Sequence, residues 1–109
     1  MQITKSEQGS WVVLTLVGKL DNTGAAELEA ALLPLLTGGS VVLDFTEIEY
    51  VASSGFRALM VGLKQQTANQ GRFVLAAMSE PVRRFFDIAG LGRVFKIVNT
   101  VQSVVDGGV

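Results

Sequence analysis

Apolar and polar residues follow one another along this chain in short blocks, and the lengths and periods of the blocks divide it into strands and helices. "WVVLTLVG", beginning at Trp11, is a Val- and Leu-rich run of strand length that is expected to stop at Gly18, with Ile3 and Thr4 supplying a first strand beside it. From Gly24 to Leu36 the apolar positions Leu28, Ala31, Leu32, Leu35 and Leu36 recur at helical spacing and turn one face of a helix toward a core. Pro34 removes a helical hydrogen bond and clashes with the preceding turn, which predicts a kink or restart near Leu33. "TGGS" reads as a turn, and "VVLDF" after it as a central strand covered on both faces, in which Asp44 needs a partner.

A second helix is predicted from Ser53 to about Asn69, with Phe56, Leu59, Met60 and Leu63 inward and Arg57, Lys64 and Gln65 outward. "GRFVLAAM" is the next strand. Ser79 is a natural N-cap for "EPVRRFFDIAG", where Pro81 suits the first turn and Gly90 can end the helix in a left-handed conformation. "VFKIV" reads as an edge-like strand, and Thr100 as the cap of a short last helix running through Val105. A strand pair followed by alternating helices and strands predicts an α/β fold, a mixed sheet with helices packed on it.

With 109 residues and 49% apolar composition, the chain can fill one compact core and is too short for two ordinary domains, so residues 1–109 are read as one domain. Its apolar runs fall well below the roughly 18 residues a membrane helix needs. The polar opening "MQITKSEQGS" lacks the apolar core of a secretory signal, and a cytoplasmic protein is expected. Zero Cys excludes disulfides and thiolate-metal sites, and zero His removes the commonest general base and metal ligand, so neither a metal nor a cofactor is expected. A net charge of −1 argues against a nucleic-acid partner. The charges are nonetheless uneven: before Phe56 two basic residues stand against seven acidic ones, and from Phe56 onward seven basic against three acidic. Ordinary solvated faces that mingle on folding account for this.

"YVASSGFRAL", Tyr50 to Leu59, sets two serines and a glycine between a strand and a helix. Catalysis by either serine lacks its partners. A Ser-His-Asp arrangement needs histidine, the nucleophile-elbow pattern is absent, and Lys64 lies three turns along the helix from Ser53 and points away from its start. No phosphate-binding loop with a lysine-hydroxyl pair occurs either, and no enzymatic activity is expected. A serine at a helix start can cap an orphan backbone N–H, stabilising by about 1 kcal/mol, which explains one of the pair. The location adds a second role. A helix that starts after a central strand opens at the carboxyl edge of the sheet, where its free N–H groups and dipole favour an anion, so a phosphate on Ser53 or Ser54 can be held there without unfolding the domain.

"LVGKLDNTGAAELEAAL", "VVLDFTEIEYVASSGFRALMVGLK" and "EPVRRFFDIAGLGRVFKI" together resemble the STAS-domain anti-sigma-factor antagonists of bacteria, in the right order and over nearly the whole chain. The most specific parts are the G-x-L-D turn ending at Asp21, the S-S-G helix start at Ser53 and the late R-R-F-F-D-x-x-G-L block. The resemblance implies a small α/β domain in which four helices pack on a mixed sheet, without enzymatic activity. Its partner would be an anti-sigma factor that is also a serine kinase. The unmodified antagonist binds that kinase and is released when phosphorylated on the first serine of the S-S-G start, here Ser53, and a metal-dependent serine phosphatase reverses the step. The implied partner-binding set is Asp21, Asn22, Ser54, Gly55, Phe56 and Arg57. Arg57, four residues after Ser53, lies one helical turn on and could pair with a phosphate there. Two positions depart from the family pattern: Ala52 stands where an Asp usually precedes the serine, and Phe56-Arg57 replace small residues after the glycine. The family also includes members that are never phosphorylated and act as scaffolds or as small subunits bound to transport ATPases, and that alternative stays open.

Overall fold

The computed structural model describes residues 1–107, so the last two residues of the 1–109 span lie outside the description. The order of elements is β1 (Gln2–Gln8), β2 (Trp11–Leu20), α1 (Asn22–Leu32), β3 (Ser40–Val51), α2 (Ser53–Ala68), β4 (Arg72–Ala76), α3 (Glu80–Ile88), β5 (Lys96–Val98) and α4 (Val101–Val105). The strands lie side by side in chain order, β1 antiparallel to β2 and each later neighbour parallel. Parallel neighbours need crossovers, and α1 and α2 supply two of them. Both helices therefore start at the same edge of the sheet, where β2 and β3 end.

Period-two alternation places the core on both faces of the central strands. Leu14, Leu16, Leu43, Phe45 and Leu75 face the layer built by Leu28 and Leu32 of α1, Leu59 of α2 and Phe86 of α3. Their neighbours Trp11, Val13, Val42, Val74 and Ala76 face the other way and are covered by Val104 of α4. The expected mixed sheet with four packed helices is what forms, and Ser79, Thr100 and Gly90 take the capping and left-handed roles expected of them.

Several boundaries differ from the sequence expectation. α1 starts at Asn22, ahead of Gly24, because Asp21 caps it; β4 ends at Ala76, where Ala77 turns to φ +62°; and β5 is only Lys96–Val98, shorter than "VFKIV", since Val94 belongs to the turn after α3. β1 is a full seven-residue strand, paired residue for residue with Trp11 to Val17. β2 does not stop at Gly18 but continues to Leu20, with Gly18 at φ +124°, next to one of two register shifts at which β3 advances an extra residue against β2. Such bulges are where a glycine fits inside a strand. Because β2 runs on, β3 also extends beyond "VVLDF" to Val51. The predicted break at Pro34 appears as a 3₁₀ turn over Leu33–Leu35, which leaves Leu33 pointing outward at 62% exposure. Asp44 finds its partner locally, accepting hydrogen bonds from the backbone N–H (2.9 Å) and the hydroxyl of Thr46.

Candidate functional site

The last residues of β2 and β3, Leu20 and Val51, are register partners, and the Ala52 N–H donates to the Leu20 carbonyl at 2.9 Å. The two following residues, Asp21 and Ala52, are the N-caps of α1 and α2. The starts of both helices are thus fixed beside each other by the sheet itself.

Glycine permits this closeness. A Cβ on Gly24 would overlap the Lys19 carbonyl oxygen, and one on Gly55 would lie 2.7 Å from the Leu20 carbonyl oxygen and 2.9 Å from the Leu20 Cβ. Both first turns are seated directly on the end of β2, which any side chain would prevent.

The two starts differ in how their orphan N–H groups are met. The Asp21 carboxylate accepts from the Gly24 N–H at 2.9 Å and caps α1 while itself remaining exposed. Ser79 and Thr100 cap α3 and α4 in the same manner. For α2 the N-cap is Ala52, which has no side-chain acceptor, and no side chain caps the helix. This corrects the expectation that one of the serines caps it: Ser53 and Ser54 fall one and two positions inside the helix, past the place from which a hydroxyl reaches back to the first turn. The start of α2 therefore presents helix-dipole charge without its own acceptor.

Around this point the other candidate residues separate into surface and interior. Ser53 and Arg57 are exposed, as are Asp21 and Asn22. The Ser54 hydroxyl is buried and has no hydrogen-bond partner among the described residues. Gly55 is buried against Leu20. Phe56 is half-buried, its ring edge-to-face on Phe86 with centroids 5.0 Å apart, so most of it belongs to the core. Tyr50, three residues before Ser53 and 45% exposed, stacks edge-to-face on Phe85 at 5.7 Å and joins α3 to the same edge of the sheet. The fold thus gathers Asp21, Asn22, Ser53 and Arg57 as accessible groups and uses Gly55 and Phe56 to hold the platform beneath them.

Gln66 is the residue that sequence reasoning passed over. It is fully buried on α2, accepts from the Gly38 N–H at 3.1 Å and donates to the Gly39 carbonyl at 2.8 Å, fastening the far end of α2 to the turn before β3. Its signal was a polar residue seven positions after Leu59 and three after Leu63, on the apolar stripe.

Comparison with known proteins agrees with this architecture. The family model described as "Mlab, STAS domain" matches residues 3–99. BtrV of Bordetella bronchiseptica, a candidate anti-sigma factor antagonist, is 30% identical over 105 residues, covering 94% of this chain and 90% of BtrV. The anti-sigma-B factor antagonist of Listeria monocytogenes is 27% identical over 87% of this chain and 85% of its own. Among solved structures, the unphosphorylated form of the anti-sigma factor antagonist SpoIIAA superposes with a TM-score of 0.79 at 23% identity, over 96% of this chain and 94% of that one. The TM1081 protein of Thermotoga maritima superposes at 0.86 with 20% identity, over 95% and 92%. Fold and sequence agree, and the chain belongs to the STAS-domain family of anti-sigma factor antagonists.

Proposed function

We propose that this protein is a non-catalytic binding switch: unmodified, it binds an anti-sigma factor that is also a serine kinase, and phosphorylation of Ser53 releases it. The observation that carries the reading is the start of α2. Among the described residues it is the one α-helix of four that lacks a polar side-chain cap, and its exposed Ser53 stands where the first-turn N–H groups and the helix dipole favour an anion. A phosphate on Ser53 would meet donors that are already oriented.

The switch needs only electrostatics. Phosphorylation adds about −1.5 to −2 charges next to Asp21, and a partner surface that accommodates a neutral hydroxyl beside one carboxylate then meets two like-charged groups whose desolvation and repulsion favour release. Asp21 and Asn22 would contact the partner directly, Ser53 and Arg57 would line the same contact, and Ser54, Gly55 and Phe56 would keep the helix start in place. A serine phosphatase acting on the phosphorylated form would restore binding. Both partners and the chain would meet in the cytoplasm.

Ala52 favours a second reading, an unphosphorylated STAS scaffold or a small subunit bound to a transport ATPase, because the acid that usually precedes the serine is absent. Incubation with the copurified kinase and ATP separates the two. One phosphoryl group on the peptide containing Ser53, lost in Ser53→Ala, supports the switch. Stable binding without any mass change supports the scaffold.

A further inference from the structure

Between α1 and α2 lies an open apolar groove of about 380 Å³. Its floor is made of small residues, Ala26 and Ala30 from α1 and Ala58 and Gly62 from α2. Leu33 and Val61 stand on its rim at 62% and 48% exposure, two of the large hydrophobic side chains that the fold leaves in solvent. We propose that this groove seats an amphipathic helix of the same partner that contacts Ser53, a helix with an apolar stripe and a basic residue facing Glu29. The proposal rests on the switch reading above.

Three observations select this occupant. Ala58 lies five residues after Ser53 and Gln65 twelve, so at about 1.5 Å per residue the groove begins roughly 7 Å from the phosphorylation position and runs on for about 10 Å, two turns of a helix. The surface is therefore continuous with the site at the sheet edge. Small residues on the floor allow a backbone to come close, the condition for packing a third helix into the furrow between two others, and anchors at i, i+3 or i+4, and i+7 would fill a groove of this length. The charge is also one-sided. Among the described residues Glu29 is the one charged residue lining the groove, and α1 carries no basic residue between its first and last positions. A helix with Lys or Arg opposite Glu29 would complement this rim.

Other occupants fit less well. A small apolar ligand sunk between the alanines would leave the outer faces of Leu33 and Val61 in water. A second copy docked face to face would bring two acidic α1 helices together.

The test places a benzophenone amino acid at position 57 or position 61 in the native host, irradiates, and maps the cross-linked peptides. The polypeptide captured from position 57 is then purified and titrated with wild type, Leu33→Asp, Val61→Asp, Glu29→Gln and Ser53→Asp. The expected result is that position 61 captures the same polypeptide as position 57, through a segment with apolar residues at helical spacing and a neighbouring base. Leu33→Asp and Val61→Asp should each weaken binding at least tenfold with unchanged melting temperature, since both side chains are exposed, and Glu29→Gln by a few fold.

Affinities of Leu33→Asp and Val61→Asp within twofold of wild type, with capture from position 57 alone, would overturn the groove and leave the Ser53 reading standing. Weak binding by the groove variants combined with an unaffected Ser53→Asp would keep the groove and overturn the Ser53 reading. Capture of a second copy of the chain, a bound small molecule in native mass spectra that protects position 61, or no capture from either position would each overturn the proposal.

Discussion

At the scale of single residues, the difference between the two helix starts decides what each substitution does. Ser53 is exposed and caps nothing, so Ser53→Ala should change stability by less than about 0.5 kcal/mol, the usual range for a surface change, while abolishing phosphorylation. Ser54→Ala removes a buried hydroxyl without a partner and should stabilise by up to about 1 kcal/mol. Chemical denaturation of the two variants checks both signs, and a marked loss for Ser53→Ala would show a capping role that the geometry does not contain. Asp21 has two roles to separate. Asp21→Ala loses the bond to the Gly24 N–H and should cost about 1 kcal/mol, whereas Asp21→Asn keeps an acceptor and should fold nearly as well. Partner affinity measured on Asp21→Asn therefore reports on charge alone, and an affinity equal to wild type would make Asp21 a cap and nothing more. Arg57, on the same face as Ser53, gives a third test. Arg57→Gln should leave the unmodified protein unchanged and destabilise the phosphoprotein on the order of 1 kcal/mol, less at high salt. Melts of both forms of both proteins make a double-mutant cycle, and zero coupling at low salt would rule the pairing out.

At the scale of elements, what holds α2 in register is its far end. Gln66 ties that end to the Gly38-Gly39 turn, and the Asn69 side chain donates to the Leu36 carbonyl at 2.6 Å. Gln66→Ala would take the acceptor from the half-buried Gly38 N–H, while the Gly39 carbonyl keeps the Arg72 N–H, and should cost about 1 to 3 kcal/mol, measured by urea denaturation. A cost below 1 kcal/mol would show that water or a neighbour takes over its bonds. Gln66 also shows where sequence legibility ends. The elements with strong periodicity, the two long helices and the Val-rich strands, could be read from their stripes, as could the caps at Ser79 and Thr100, because each rests on local chemistry. The continuation of β2 through Gly18 could not be read, since a bulge depends on the neighbouring strand and glycine alone more often marks an end. Ala52 as the N-cap of α2 was hidden for a similar reason. Two serines offered a better cap than alanine, and pairing between β2 and β3 overrode that preference by fixing the strand end at Val51.

At the scale of the whole molecule, the question is whether the proposed switch moves the fold or only its surface charge. The accessible candidate groups, Asp21, Asn22, Ser53 and Arg57, sit at one edge of the sheet, and beneath them Gly24 and Gly55 press directly on β2 while Phe56 packs on Phe86. Interiors packed in this way are not continuously deformable, so a charge placed on their rim has no soft element to push. Phosphoserine installed at position 53 should therefore slow amide exchange at residues 53–55, whose N–H groups in the first turn of α2 precede its first intrahelical bond, as the phosphate accepts from them. Exchange in β3 and β4, at Val42, Leu43, Val74 and Leu75, should be unaltered apart from a uniform shift with any change in global stability. Faster exchange of those strands, or of α4 on the opposite face of the sheet, would mean that the phosphate acts by loosening the domain. Partner release would then have to be explained by a population of altered conformers instead of by repulsion at the rim.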